Sequence, residues 1–102
     1  MYGRLTSYQA REGVAPRPDD PAADELTVKK VLSLSGCEGV FYLVDRESGR
    51  AITLTLWHDK DALDATEQDA STIRKQSSQD DGYEVVSVER FEVRSHAVTG
   101  AM

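Results

Sequence analysis

Four short runs of the chain are rich in apolar, aromatic and β-branched residues, which is typical of strands. They cover residues 2–10, 40–45, 51–57 and 83–93. Between them, residues 60–77 carry apolar side chains at the spacing of a helix face, and residues 21–34 are predicted as a helix from the residues at their ends. The resulting order, β-α-β-β-α-β, predicts an α+β, ferredoxin-like fold in which two helices cover one face of a four-stranded antiparallel sheet.

Capping residues mark where the predicted helices begin and end. Asp20 followed by Pro21 suits the start of the first helix, because aspartate accepts a hydrogen bond from a free backbone N–H and proline tolerates the first helical position. Gly36 suits its end, since glycine readily adopts the left-handed conformation. Asp59 is the predicted cap of the second helix.

Each predicted helix has one side that is expected to face the sheet. In the first helix this side consists of Val28, Val31 and Leu32. In the second helix the inward stripe consists of Leu63, Thr66, Ala70 and Ile73.

The whole chain, residues 1–102, has the length of a single domain. Residues 11–20 are rich in proline, glycine and aspartate and predict a loop, whereas residues 95–102 predict a flexible tail. Hydrophobic residues make up 39% of the chain and charged residues 29%, which is the composition of an ordinary globular protein.

The hairpin formed by the second and third strands has two apolar faces, because successive side chains of a strand point to opposite sides. One face is aliphatic and is expected to lie under the helices; it consists of Phe41, Leu43, Ile52, Leu54 and Leu56. The other face consists of Val40, Tyr42, Val44, Ala51, Thr53, Thr55 and Trp57. A sheet face that meets water is normally polar, so this second face is expected to pack against a second copy of the chain or a ligand.

The charge of the chain bears on its partners. Twelve basic and eighteen acidic residues give a net charge of −6. Nucleic acids and anionic membranes attract cationic surfaces, so we expect neither as a partner.

The first residues lack the pattern of a signal peptide, and no run reaches the ~18 apolar residues of a membrane span. The single cysteine, Cys37, cannot form an internal disulfide, and we expect a cytoplasmic protein.

Residues 36–63 resemble the antibiotic-biosynthesis monooxygenase-like group of the dimeric α/β-barrel superfamily. The similar features are a glycine before the second strand, the strand end LVDR, a tight turn, and a third strand that ends in Trp57 before a polar helix cap. The segment SVERFEV, residues 87–93, is similar to the last strand of that group. The resemblance implies a homodimer in which two sheets form a barrel-like joint.

The resemblance also implies a chemistry: the cofactor-free and metal-free oxygenation of a small aromatic, polyketide-like molecule. Such a reaction needs a dry cavity with hydrogen-bonding groups near the oxyanion that forms. The residues expected to line the cavity or bind the substrate are Tyr42, Thr53, Thr55 and Trp57. Tyr8 and His58 are the candidate acid–base groups.

A non-catalytic interpretation stays open beside the enzymatic one: a dimeric module that binds a small molecule or has a structural role. It is favoured by the expectation that no Asn, Arg or His lies on the inner face of the sheet. Haem-degrading members of the superfamily use an Asn on the first strand and a Trp and a His on the second helix. The resemblance therefore disfavours haem degradation, because the chain lacks Asn and residues 60–77 lack both Trp and His. The histidines and the cysteine do not have the spacing of metal ligands.

Overall fold

The computed structural model describes residues 1–13 and 21–97. Four strands and three helices follow one another along the chain. They are β1 (Tyr2–Ala10), α1 (Pro21–Leu32), β2 (Cys37–Asp45), β3 (Arg50–Trp57), α2 (Lys60–Ala65), α3 (Glu67–Asp81) and β4 (Tyr83–Glu92). The strands form one antiparallel sheet in the order β2-β3-β1-β4, which confirms the predicted α+β, ferredoxin-like fold.

The first strand lies in the middle of the sheet, so its side chains have a neighbour on either side. Leu5, for example, lies opposite Leu54 on β3 and opposite Glu89 on β4. The register between β1 and β4 shifts after Ser7, and the extra residue on β4 is Val86. Paired residues share a face of the sheet, and this register therefore decides which side chains meet under the helices.

The predicted second helix is observed as two helices that meet at Thr66. The Thr66 hydroxyl donates a hydrogen bond of 2.6 Å to the carbonyl oxygen of Ala62, a contact that bends helices. The Asp59 side chain caps α2 as predicted, because it accepts a hydrogen bond of 2.8 Å from the Ala62 N–H. Gly82 ends α3 in the left-handed conformation. Within the described residues, no helix combines the length and the apolar character of a membrane span.

One predicted position at the end of the first helix was wrong, and other predicted features lie wholly or partly outside the described residues. Helix α1 ends at Leu32, whose exposed fraction of 45% shows that its predicted inward position was wrong. The proposed cap Asp20 lies outside the described residues, as does most of the predicted loop at 11–20. Residues 95–97 have no regular secondary structure, and the rest of the predicted tail lies outside the described range.

The helices cover the opposite face of the sheet from the one that was expected. Trp57 and Ala51 are buried under them, with exposed fractions of 0% and 1%. The aliphatic face is open instead, and the exposed fraction of Leu43 reaches 54%. Alternation in the sequence groups the side chains of one face but does not say which face is covered. That choice depends on the handedness of the strand–helix–strand crossovers, which is a property of the whole topology.

Candidate functional site

A partly enclosed cavity of about 90 Å³ lies between the inner face of the sheet and helices α1 and α3. Its apolar wall joins both layers: Val28 and Val31 from α1, Ala70 and Ile73 from α3, and Val40 from β2. Such mixed walls of apolar groups with a few polar ones are typical of small-molecule sites.

Hydroxyl groups from the sheet form the polar side of the cavity. Thr6 lies opposite Thr53 on the neighbouring strand, and both line the cavity. The Tyr8 hydroxyl lies 3.3 Å from the Thr53 hydroxyl, and its ring meets the ring of Tyr83 edge to face at 6.5 Å. Tyr8 itself is only 7% exposed. The cavity therefore presents ordered hydroxyl groups in a largely dry setting.

The structure brings together four of the six residues singled out in the sequence. Tyr8, Tyr42, Thr53 and Thr55 all line the cavity. They meet there because pairing across the strands places them on the helix-covered face of the sheet. A substrate-binding role for them stays a prediction.

Trp57 lies in the core beside the cavity instead of on its wall. Its side chain is fully buried, and the indole N–H donates a hydrogen bond of 2.9 Å to the Thr55 hydroxyl. The Arg4 guanidinium lies over its ring, 5.1 Å from the centroid. Trp57 therefore contacts two residues of the cavity wall, Arg4 and Thr55, without lining the cavity itself.

His58 is separated from the cavity. Its side chain is 72% exposed, and Nδ1 lies 2.8 Å from a carboxylate oxygen of Glu38. His58 directly follows β3, and the alternation that directs Thr53, Thr55 and Trp57 inward gives the next position the opposite direction. The position corrects the expectation that His58 could act as an acid or base on a molecule in the cavity.

A buried arginine that the sequence analysis missed occupies the inner face. The Arg4 side chain is only 2% exposed, donates a hydrogen bond of 2.8 Å to the Leu63 carbonyl oxygen and pairs with Glu67 at 2.6 Å. Burial lowers the pKa of Arg4 from its ordinary value, whereas the Glu67 carboxylate raises it. Its Nε is buried with no hydrogen-bond partner among the described residues.

Arg74, on α3, is the second arginine on the cavity wall. The expectation that no arginine would lie on an inner face was therefore wrong. A signal for Arg4 existed, because the alternation of Arg4, Thr6 and Tyr8 places all three on one side of the first strand. Arg74 had no such signal, since its position in the last turns of a predicted helix is equally typical of a solvated cation.

Metal and thiol chemistry find little support in the described residues. Within residues 1–13 and 21–97, no group of three His, Cys, Asp or Glu side chains could hold a metal ion. Burial raises the pKa of the Cys37 thiol, which disfavours the reactive thiolate. The absence of a metal and of a cofactor stays a prediction.

Comparison with known sequences identifies uncharacterised relatives. No family model matches the chain. Two Mycobacterium tuberculosis proteins, the uncharacterized protein MT2634 of strain CDC 1551 and the uncharacterized protein Rv2557 of strain H37Rv, are each 32% identical to it over 79 residues. The similarity covers 72% of this chain and 33% of each relative, so the chain spans about one third of the length of the curated relatives it matches.

Several solved structures have the same fold as this chain. A Deinococcus radiodurans protein, named as a candidate antibiotic biosynthesis monooxygenase, superposes with a TM-score of 0.64 at 12% identity, over 98% of this chain and 100% of that one. Rv0793 from Mycobacterium tuberculosis gives a TM-score of 0.60 at 15% identity, over 96% and 100% of the two chains. Protein YJCS gives 0.56 at 11% identity, over 91% and 98%. This chain therefore has the fold of the antibiotic-biosynthesis monooxygenase-like proteins, in agreement with the resemblance seen in residues 36–63.

Proposed function

We propose that this protein is a cofactor-free monooxygenase that binds a small aromatic molecule in the cavity between its sheet and its helices. The observation that carries the proposal is the pairing of an apolar wall with the buried hydroxyl groups of Tyr8 and Thr53. The shared fold with a protein named as a candidate antibiotic biosynthesis monooxygenase supports the same activity.

In the proposed reaction, an activated methylene group loses a proton to solvent water, and the resulting carbanion transfers electrons to molecular oxygen. The peroxide anion that forms takes a proton back from water and becomes a hydroperoxide. A carbon–oxygen bond forms, and loss of water from the hydroperoxide leaves a carbonyl group. Overall, one methylene group and one oxygen molecule give one carbonyl group and one water molecule. The Tyr8 hydroxyl, held beside Thr53, donates a hydrogen bond to the substrate oxygen on which negative charge develops. The apolar wall excludes water, which strengthens that hydrogen bond.

The size of the cavity limits how large a substrate it can hold. An engineered cavity of roughly 150 Å³ holds one benzene ring in another protein. The cavity described here, at about 90 Å³, is smaller, but it opens to solvent on one side. A ligand with a single ring is therefore favoured over one with three fused rings.

Replacing Tyr8 with phenylalanine tests the role of its hydroxyl. The ring and its contact with Tyr83 remain, so we expect the Tyr8→Phe variant to fold normally. Loss of one donor to a developing oxyanion lowers turnover by about 10²-fold. The measurement is oxygen uptake with hydroxylated aromatic substrates of one, two and three rings that each carry an activated methylene group, hydroxyanthrone being the three-ring member.

Tyr2→Phe is the matched control, because Tyr2 lies on the same strand and outside the cavity wall. We expect this variant to retain the activity of the unmodified protein. Equal activity of both variants would exclude Tyr8 from the reaction, and no oxygen uptake by the unmodified protein with any substrate would contradict the proposed function.

A homodimer formed through the open face of the sheet belongs to the same proposal. The exposed fractions of Phe41, Leu43 and Phe91 on this face are 39%, 54% and 51%. Leu54 and Leu56 extend this apolar surface, while Glu89 lies at its β4 edge opposite Leu5. Monomeric proteins rarely expose a contiguous apolar patch of more than a few hundred Å². A second copy of the chain would cover this face with an identical apolar surface, as a two-fold interface requires.

Leu43→Glu tests this interface, with Val44→Glu as the matched control. The two residues are adjacent on β2 and similarly exposed, but Val44 points to the other face of the sheet. Two-fold symmetry would bury the new carboxylate of Leu43→Glu twice, so we expect the dissociation constant to rise at least about 100-fold. Sedimentation at micromolar concentration measures it. A monomeric unmodified protein, or equal dissociation of both variants, would contradict the dimer.

A further inference from the structure

The charges on the cavity wall are unevenly balanced. Among the residues that the structure describes, Arg4 and Arg74 line the cavity together with a single carboxylate, Asp24. Asp24 lies in the exposed first turn of α1, where solvent screens its charge. The two arginine side chains are only 2% and 11% exposed. The buried part of the wall is therefore cationic, although the chain as a whole has a net charge of −6.

The carboxylates near the wall neutralise these arginines only in part. Glu67 Oε2 lies 2.6 Å from Arg4, but Oε1 lies 3.6 Å from Arg74, which is beyond hydrogen-bond distance. The Arg90 guanidinium also pairs with Glu67, at 3.3 Å, and with Asp64, at 2.5 Å. Within the described part of the chain, this cluster joins three guanidinium groups to two carboxylates, and the ammonium group of Lys60 also lies 3.8 Å from Asp64, so positive charge is in excess.

Arg4 also has an unused hydrogen-bond donor. Its Nε is buried without a partner among the described residues, and buried donors of folded proteins are normally paired. Burial and the positive charges of Arg74 and Arg90 lower the pKa of Arg4, against the opposing effect of Glu67. An anion in the cavity would offset these like charges.

We propose that the cavity binds a single-ring aromatic carboxylate, with its carboxylate group near Arg4 and Arg74 and its ring against Val31, Val40 and Ile73. The proposal rests on the proposed function, because it takes this cavity as the ligand site. Guanidinium groups are planar and match the two oxygens of a carboxylate, and the resulting hydrogen bonds are strong because both partners are charged.

A matched pair of probes separates the charge of a ligand from its shape. Benzoate and benzamide have the same ring and similar size, but only benzoate is an anion at neutral pH. Isothermal titration calorimetry measures both dissociation constants. Fluorescence of the only tryptophan, Trp57, gives a second readout because the guanidinium of Arg4 lies 5.1 Å from its ring. We expect benzoate to bind at least about tenfold more tightly than benzamide.

Variants of Arg74 assign that difference to the cavity wall. Arg74→Met keeps the length of the side chain and removes its charge, so we expect about tenfold weaker binding of benzoate and unchanged binding of benzamide. Arg74→Lys keeps the charge without the planar fork and should fall between the two. Arg50→Met is the control, because Arg50 is exposed on β3 and outside the cavity wall.

The outcomes distinguish the anion site from the proposed function as a whole. Equal affinity for benzoate and benzamide would overturn the proposed preference for a carboxylate. It would not contradict the proposal that the cavity binds aromatic molecules. Unchanged benzoate binding in both Arg74→Met and Arg74→Lys would overturn the place assigned to the carboxylate. Binding of neither probe at millimolar concentration would overturn the proposed function, and the anion site with it.

Discussion

Gly36→Ala is expected to lower the free energy of unfolding by about 2–5 kcal/mol. Gly36 has a φ of +85°, a conformation that costs an alanine roughly 1–2 kcal/mol. An added Cβ would also overlap the Cβ of Ala62 at the start of α2, and overpacking of this kind costs about 1–3 kcal/mol. Relief of the overlap would displace either α2 or the turn before β2. The loss would be a large part of the ~5–15 kcal/mol that stabilises a small domain.

Urea denaturation followed by circular dichroism measures this loss, at one fixed protein concentration because association changes apparent stability. Gly13→Ala is the matched control. Gly13 also has a positive φ, +75°, but no atom of residues 1–13 or 21–97 lies within 4 Å of the position of an added Cβ. We expect this control to lose only about 1–2 kcal/mol. Equal losses in the two variants would show that the contact with Ala62 does not limit this turn.

Trp57→Ala is expected to lower the free energy of unfolding by about 3–5 kcal/mol, the usual result of removing a large buried aromatic side chain. The change would also remove the ring beneath the Arg4 guanidinium and the N–H that pairs with the Thr55 hydroxyl. Both of these residues line the cavity. Ligand binding should therefore weaken together with stability.

Trp57→Phe separates the ring from the indole N–H. It keeps an aromatic surface for Arg4 but loses the hydrogen bond to Thr55, so we expect a loss of about 1–2 kcal/mol. Thermal and urea unfolding of both variants measure the difference. A Trp57→Ala variant with full stability and no ligand binding would contradict the position of Trp57 in the core. It would instead support the sequence-based expectation that Trp57 lines the cavity.

The two faces of the sheet have separate roles in these proposals. The inner face, with Tyr8 and Arg4, contributes to the cavity of one chain. The outer face, with Leu43 and Phe91, is proposed to contact a second chain. The Leu43→Glu variant should therefore lose the dimer before it loses the cavity, and benzoate binding by the resulting monomer would show that one chain holds a complete site.

Local patterns were sufficient to predict the fold. The order of strands and helices follows from runs of apolar residues, from the Asp59 cap and from Gly82, which ends α3. Each of these signals depends on neighbours within a few residues, so one sequence carries it in full. The same holds for the grouping of Thr53 and Thr55, because alternation along one strand directs both side chains to the same face.

The sequence by itself thus determined which elements form and which side chains share a face of the hairpin. Only the tertiary structure decided that the helices cover the face with Tyr42, because crossover handedness is a property of the whole chain. It alone placed Arg4 beside Arg74 and Trp57 behind the cavity wall. These contacts join residues on different strands and helices, and local patterns carry no information about such distances.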